Sequence, residues 1–175
     1  MLLAEAAAAN AKFRAFFEQG ALFAGIMDVD GVLTDGRLFI SSEGEEFKVF
    51  HVRDGSGIVA ALRAGVTVAI ISGRDSAAVN RRAAELGIRH VRQGVSDKGR
   101  ELEALLRDLG LTAAQAACVG DDTPDLPMLE MAGLAIAVAD AHPALKAAAH
   151  WITGSPGGHG AVREVCDLLL SAAAT

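Results

Sequence analysis

The sequence predicts an α/β fold in which a doubly wound parallel sheet carries one inserted β-hairpin. Three observations support this prediction. Short apolar runs alternate with segments whose apolar residues recur at helical spacing, several helical segments end in glycine, and residues 37–52 break the alternation. Strand–helix–strand repetition of this kind implies right-handed crossovers between parallel strands.

Five apolar runs are predicted to be strands. Continuous runs of Val, Ile and Ala are typical of strands buried on both faces, as in a parallel sheet covered by helices. The runs are LFAGIMDV (22–29), VTVAIIS (66–72), HVRQG (90–94), AACVGD (116–121) and LAIAVAD (134–140).

The segments between these runs are predicted to be helices, because their apolar residues recur at helical spacing and glycine often ends a helix. They cover residues 55–65, 76–87, 96–110 and 123–133, and AVREVCDLLL (161–170) predicts a further core helix. Residues 1–20 predict an N-terminal helix. No linker or repeat interrupts the chain, so residues 1–175 are expected to form a single domain.

The segment RLFISSEGEEFKVFHV (37–52) is predicted to be a β-hairpin, because two apolar runs flank the turn residues SSEGEE. Its apolar side chains include Leu38, Ile40, Phe47 and Phe50. Apolar residues on an edge hairpin favour a contact between subunits over a plain surface hairpin.

Composition excludes several classes of function. The chain is 51% hydrophobic and 22% charged, as expected of a compact domain. A formal net charge of −6 without any basic run argues against nucleic acid or an anionic membrane surface as the partner. No apolar run reaches the length of a membrane span, and charged residues interrupt the opening segment, so neither an anchor nor a signal peptide is predicted. Cys118 and Cys166 lie far apart and are expected to be reduced thiols in a cytoplasmic protein.

Polar residues follow four of the predicted strands. Ligands of open α/β sheets bind beyond the carboxyl ends of the strands, so these residues are expected to converge on one edge. Aspartates at such places can also be simple helix N-caps, which is the interpretation for Asp75 and Asp97. The converging residues are Asp28 and Asp30 after the first strand, Ser72, Gly73 and Arg74 after the second, Lys98 after the third, and Asp121, Asp122 and Asp125 after the fourth.

Several carboxylates at one edge need a compensating charge. Two of them about 4 Å apart repel by about 4 kcal/mol at an effective dielectric constant of 20. Mg²⁺ suits a site of one or two carboxylates, water and phosphate, with Lys98 and Ser72 binding the phosphate oxygens. A calcium-binding EF-hand loop is excluded, because Val32 stands at a ligand position and Leu33 at the required glycine.

The ordered motifs DxDGxxTDG, Ser-Gly-Arg, a lone lysine and GDDxxD resemble those of the haloacid dehalogenase (HAD) superfamily of phosphotransferases. The resemblance implies that Asp28 is a nucleophile that forms an aspartyl-phosphate. It implies that Asp30 is the general acid and base. Ser72 and Lys98 are then expected to hold the phosphoryl group.

The same resemblance implies a magnesium site. Its ligands are expected to be Asp28, the backbone carbonyl of Asp30, and Asp121, while Asp122 and Asp125 orient them. The intervals between motifs, 44 positions from Asp28 to Ser72 and 23 from Lys98 to Asp121, leave no room for a separate cap domain. A capless site is open unless neighbouring subunits cover it.

Three segments resemble the capless, tetrameric family of 3-deoxy-D-manno-octulosonate 8-phosphate (KDO 8-phosphate) phosphatases of lipopolysaccharide sugar biosynthesis. They are GEEFKVFHVRDGSGI (44–58), VADAHP (138–143) and GGHGAVREVCDLLL (157–170). The resemblance covers nearly all of residues 22–170, and it implies a homotetramer with a small phosphorylated sugar acid as substrate. The residues it assigns to substrate are Asp30, the HVRDG stretch (His51, Val52, Arg53, Asp54 and Gly55), Gly73, Arg74, Arg82 and Lys98.

Some assignments keep an alternative. Arg82 also fits a solvated helix face, and Val59 stands where the family often has another basic residue. Closure of the site by PGGHG (156–160) is a hypothesis, and His159 is either a substrate contact or a bystander.

Two other functions are compatible with parts of the pattern. The same chemistry on a sialic-type nonulosonate 9-phosphate would use the same motifs. A non-catalytic HAD-like oligomerisation module would be expected to have lost a catalytic group, whereas Asp28, Asp30, Ser72, Lys98 and Asp121 are all present.

Overall fold

The computed structural model describes residues 24–173, and the helix predicted at 1–20 lies outside them. Six parallel strands form one sheet in the order β5-β4-β1-β6-β7-β8. This arrangement confirms the predicted parallel α/β sheet and all five predicted strands. The strands are β1 (Ala24–Met27), β4 (Thr67–Ile71), β5 (His90–Arg92), β6 (Ala116–Gly120), β7 (Leu134–Ala137) and β8 (Trp151–Ile152).

Within residues 24–173, six α-helices connect and cover the strands. They are α1 (Val52–Arg63), α2 (Ala77–Leu86), α3 (Lys98–Leu109), α4 (Leu126–Met131), α5 (Pro143–Ala148) and α6 (Ala161–Ala173). Helix α1 begins three residues earlier than the glycine-rich pattern suggested. Helix α5 was not predicted, although it has proline at its start and the His142 side chain accepts a hydrogen bond from the Ala144 N–H.

The core lies between the sheet and its helices and consists of aliphatic side chains. Ile26, Ile71 and Ile136 of the central strands are fully buried. On one side, α1 packs closely on α6, where a Cβ added to Gly57 would lie 3.0 Å from the Cβ of Cys166. The two cysteines are buried free thiols, and burial raises the pKa of both.

The predicted hairpin is present, with β2 (Phe39–Ile40) paired antiparallel to β3 (Glu46–Phe47). Its two strands are shorter than the predicted range of 37–52, and Val52 already belongs to α1. Its exposed apolar side chains are Leu38, Phe39, Ile40, Phe47 and Val49. Phe50, which was expected among them, instead packs against the core of its own chain.

Within the described residues, the chain has neither a cap domain nor a membrane-spanning helix. The described segment between β1 and β4 consists of the hairpin and α1, so it carries no cap domain. In the described part of the chain, no helix has both the length and the apolar character needed to cross a membrane.

Candidate active site

The carboxyl ends of β1, β4 and β6 and the start of α3 surround one open cleft. It contains all nine residues that were predicted to converge on this edge of the sheet. With Gly36 and Pro124, the lining consists of Asp28, Asp30, Ser72, Gly73, Arg74, Lys98, Asp121, Asp122 and Asp125. Parallel strands place their carboxyl ends side by side, which is why residues so far apart in sequence meet here.

The loop after β1 folds tightly and separates its polar from its apolar side chains. The N–H groups of Val32, Leu33 and Thr34 all donate to the Val29 carbonyl, at 3.2, 2.9 and 3.0 Å. Val29 and Val32 are fully buried in the core, whereas Asp28 lines the cleft. The valine side chains therefore anchor the loop in the core, and the alternating aspartates place their carboxylates at the cleft.

Lys98 lies at the start of α3 and is buried between two aspartates. Its Nζ is 3.0 Å from Asp28 Oδ2 and 2.5 Å from Asp125 Oδ1. Burial disfavours the ammonium, but the two carboxylates outweigh it and raise the pKa of Lys98. Asp97 caps this helix by accepting a hydrogen bond from the Arg100 N–H, as its position suggested.

Three carboxylates form a cluster that fits a divalent cation. One oxygen from each of Asp28, Asp121 and Asp125 lies within 4.8 Å of the others. Within the described residues, the buried Oδ1 of Asp28 has no hydrogen-bond partner. A hard cation with oxygen ligands satisfies both features, and Mg²⁺ prefers such ligands.

The pKa values of the cluster reflect the same shortage of positive charge. Burial and the charge of Asp125 raise the pKa of Asp28 to about 6, against the attraction of Lys98. Burial, Asp125 and Asp28 raise the pKa of Asp121 to about 8. The loop after β1 can approach the Asp121 carboxylate only because residue 31 is glycine. A Cβ added to Gly31 would lie 1.9 Å from Asp121 Oδ2.

Asp125 has a larger part in the geometry than the motif suggested. Its Oδ2 accepts the N–H groups of Asp121 at 2.9 Å and Asp122 at 3.3 Å, so it orients this loop as expected. Its carboxylate also joins the candidate cluster of metal-binding side chains, and the Asp30 carbonyl stays a predicted ligand beside them. The Asp122 side chain is exposed and accepts the Thr123 N–H at 2.7 Å, so it caps the turn.

Two charged side chains beside the cleft, Lys48 and Glu46, were not predicted from the sequence. Lys48, just after β3, forms an ion pair with Asp30 Oδ1 and a second with Glu46 Oε1 at 2.7 Å. Arg74 approaches the other oxygen of Asp30, with its Nε 3.6 Å away. In the sequence, only the two-residue spacing of Glu46 and Lys48 indicated that they lie on the same face of the hairpin.

The HVRDG stretch and Arg82 lie outside the lining of the cleft. Val52 is exposed, and Asp54 is buried with hydrogen bonds from the N–H groups of Gly160 and Arg163, at 3.3 and 2.7 Å. Arg82 covers Gly55, and both line a small apolar cavity between α1 and α2 together with His51 and Asp54. Arg53 is exposed on α1.

The PGGHG segment packs on the loop after β1 of its own chain. The Gly158 N–H donates to the Val32 carbonyl at 3.0 Å, and the Gly157 N–H donates to Asp140 Oδ1 at 2.9 Å. His159 lies near Asp35, whose pKa is lowered chiefly by the Arg37 N–H and slightly by this histidine. In this arrangement His159 is not part of the cleft lining.

The chain is similar to proteins of known family. A family model described as haloacid dehalogenase-like hydrolase matches residues 91–165. The 3-deoxy-D-manno-octulosonate 8-phosphate phosphatase KdsC of Escherichia coli K12 is 52% identical over 147 residues, which cover 84% of this chain and 78% of that protein.

Two solved structures share the fold closely. The Moraxella catarrhalis KDO 8-phosphate phosphatase, in complex with magnesium, phosphate and KDO, is 44% identical with a TM-score of 0.86, covering 90% of this chain and 91% of that one. The cobalt-bound Haemophilus influenzae phosphatase is 42% identical with a TM-score of 0.86, covering 93% and 92%. The chain therefore belongs to the 3-deoxy-D-manno-octulosonate 8-phosphate phosphatase family of haloacid dehalogenase-like hydrolases.

Proposed function

We propose that this chain is a Mg²⁺-dependent phosphomonoesterase that hydrolyses KDO 8-phosphate to KDO and phosphate. The observation that carries the proposal is the environment of Asp28, whose buried carboxylate has one oxygen paired with Lys98 and the other unpartnered within the described residues. The similarity to the Escherichia coli enzyme supports the choice of substrate.

Asp28 performs the first displacement. Its carboxylate attacks the phosphorus, the bond from phosphorus to the sugar oxygen breaks, and an aspartyl-phosphate forms. Asp30 donates a proton to the departing sugar oxygen, since an alkoxide is a poor leaving group. Asp30 then removes a proton from water, which attacks the phosphorus and releases phosphate and free Asp28.

Lys98 and Ser72 hold the phosphoryl group during both steps. Lys98 is fixed by two carboxylates, so its charge is placed before the substrate arrives. The carboxylates of Asp28, Asp121 and Asp125 and the Asp30 carbonyl would hold Mg²⁺. When bound, the cation neutralises the carboxylates and the phosphate oxygens.

The sugar acid needs contacts beyond the phosphate. Arg74 lies at the cleft with its side chain 46% exposed, so its guanidinium is available for a carboxylate. The HVRDG stretch and Arg82 are proposed to meet the substrate across a subunit boundary. The exposed apolar hairpin supports a homotetramer in which neighbouring subunits cover the open cleft. We place this activity in the cytoplasm, where the two buried thiols stay reduced.

Phosphate release tests the function. KDO 8-phosphate and a sialic-type nonulosonate 9-phosphate are compared side by side, each with Mg²⁺ and with EDTA. Mg²⁺-dependent preference for the eight-carbon substrate is expected. Preference for the nine-carbon sugar would keep the chemistry and change the substrate, and no release from either would favour a non-catalytic module.

A further inference from the structure

We propose that Lys48 is a positioning residue that fixes the carboxyl group of Asp30 for proton transfer to the leaving sugar oxygen. The hairpin would then contribute to catalysis from within its own chain, in addition to any role in assembly. This inference rests on the proposed function, because it concerns the general acid of that reaction.

The Lys48 side chain is shielded from solvent and held by two carboxylates. Its side chain is 2% exposed, and its Nζ forms ion pairs with Asp30 Oδ1 and, at 2.7 Å, with Glu46 Oε1. A buried ammonium is strongly unfavourable unless it is paired, so this side chain has little freedom to leave its carboxylates. Residues 18 positions apart in the sequence are thereby joined.

Glu46 extends the contact into a closed ring. Its Oε2 accepts a hydrogen bond from Arg74 Nη2 at 2.8 Å, and Arg74 Nε lies 3.6 Å from Asp30 Oδ2. Two carboxylates thus alternate with two cations, Lys48 and Arg74, and their formal charges sum to zero. With Asp30 ionised, each of its oxygens faces one cation, which fixes the plane of the carboxyl group. The proton that Asp30 donates is carried on Oδ2, the oxygen that faces the exposed Arg74, while Oδ1 stays with Lys48.

The two cations are not equivalent. Arg74 is 46% exposed at the rim of the cleft, so a substrate carboxylate can reach it and replace Glu46 as its partner. Lys48 is buried and stays with Asp30 when Arg74 moves. A general acid must lie within hydrogen-bond reach of the atom it protonates, and small displacements of a catalytic group reduce rates steeply.

The test compares two leaving groups. A sugar alkoxide requires a proton as it leaves, whereas the phenolate of p-nitrophenyl phosphate does not. Lys48→Met is expected to lower kcat for the sugar phosphate about 10- to 100-fold, less than the roughly 100- to 10,000-fold that general acid catalysis contributes, because the acid is misplaced and not removed. The loss on the aryl phosphate should be at least about 10-fold smaller, with KM for the sugar phosphate changed less than about 2-fold.

Three controls isolate positioning from folding. Lys48→Arg should recover most of the lost rate, and Lys146→Met, on α5 and outside the cleft lining, should match the wild type. In an Asp30→Asn background, Lys48→Met should add little, because the group that it positions is already gone. Melting temperature and light scattering of every variant report on fold and assembly.

Equal losses on both phosphates, or additive losses in the double variant, would overturn the assignment. If Lys48→Met alone does not fold, the double variant is compared with Asp30→Asn alone, and a further loss of about 10-fold or more would likewise overturn the assignment. The wild-type arm separates the two proposals. If wild type ignores KDO 8-phosphate, the proposed substrate fails and the comparison is made with glucose 6-phosphate; if it hydrolyses neither alkyl phosphate, both proposals fail.

Discussion

Gly157 lies so close to Gly31 that a Cβ added to Gly157 would be 1.7 Å from the Gly31 carbonyl oxygen. Gly31 in turn has a positive φ of 88°, and its own added Cβ would lie 1.9 Å from Asp121 Oδ2. The segment before α6, the loop after β1 and a carboxylate of the candidate metal cluster are therefore stacked in direct contact. The segment before α6 therefore holds the loop after β1 against the carboxylate of Asp121.

Gly157→Ala is expected to displace the loop and lower activity. Overpacking of this kind typically reduces the free energy of unfolding by about 1–3 kcal/mol. We expect kcat to fall at least about 10-fold, because the loop carries Asp28 and Asp30. Mn²⁺ binding followed by electron paramagnetic resonance should weaken as well, since the carboxylates lose their spacing.

Gly154→Ala is the matched control for this change, because it lies in the same segment. Its added Cβ would be 3.6 Å from the nearest atoms, those of Glu164. If Gly157→Ala and Gly154→Ala behave alike in urea denaturation, metal binding and turnover, the stacked glycines have no positioning role.

Asp54 is predicted to contribute mainly to the stability of the fold. Its two carboxylate oxygens accept N–H groups of Gly160 and Arg163 at the start of α6. Asp54→Ala leaves these buried donors unpaired and should lower the free energy of unfolding by about 1–3 kcal/mol. Asp54→Asn keeps one acceptor and should cost less. A raised KM at unchanged stability would instead support the substrate contact that the HVRDG motif implied.

The convergence of Asp28, Ser72, Lys98 and Asp121 could be predicted because it follows from local features. Apolar runs mark buried strands, parallel strands share an edge, and each polar residue stands directly after its strand. Strand β8 could not be predicted, because two residues, Trp151 and Ile152, show no periodicity.

The contacts of Lys48 and Asp54 could not be predicted for a different reason. Lys48 meets Asp30 across 18 positions, and Asp54 meets Gly160 across 106. Such partners depend on how the hairpin and α6 pack after the sheet has formed, and spacing in the sequence does not encode that packing. Asp54 was therefore assigned to the substrate from its motif alone, and its hydrogen bonds to the start of α6 had no signal in the sequence.

Asp28→Asn should abolish turnover and leave the fold intact. The amide has nearly the same shape but is not a nucleophile, so we expect kcat below about one thousandth of wild type. Without Mg²⁺, the variant should be at least as stable as wild type, because it removes one charge from a crowded cluster. Phosphate release and thermal unfolding in EDTA measure both effects, and Asp108→Asn, at an exposed carboxylate of α3, is the control. Retained activity would remove the nucleophile assignment.

Phe47→Asp should disrupt assembly. Phe47 is 57% exposed and pairs with Phe39 across the hairpin, so a charge there would oppose burial against another subunit. Light scattering after size-exclusion chromatography should show monomers with a raised KM for the sugar phosphate. Ser42→Asp, at the polar turn of the same hairpin, should remain assembled. Fully active monomers would show that neighbouring subunits do not complete the site.

Stability without metal is expected to fall as pH rises. The pKa of Asp28 is raised from 3.8 to about 6, and that of Asp121 from 3.8 to about 8. Between about pH 4 and pH 8 the folded chain therefore binds more protons than the unfolded chain, so raising the pH removes protons that stabilise the fold. This contribution is fully present below about pH 4 and is lost as pH passes the folded values.

Mg²⁺ should reverse this trend, because it takes the place of those protons and binds more tightly as they leave. At a concentration 100 times its dissociation constant, Mg²⁺ would add about 2.7 kcal/mol to the free energy of unfolding. Urea denaturation at pH 5.5 and pH 8.0, with EDTA and with Mg²⁺, should show the larger Mg²⁺ effect at pH 8.0. Asp121→Asn should weaken both the pH dependence in EDTA and the gain from Mg²⁺. An equal gain at both pH values would show that the cation does not compete with protons on Asp28 and Asp121, and would move the metal site away from this cluster.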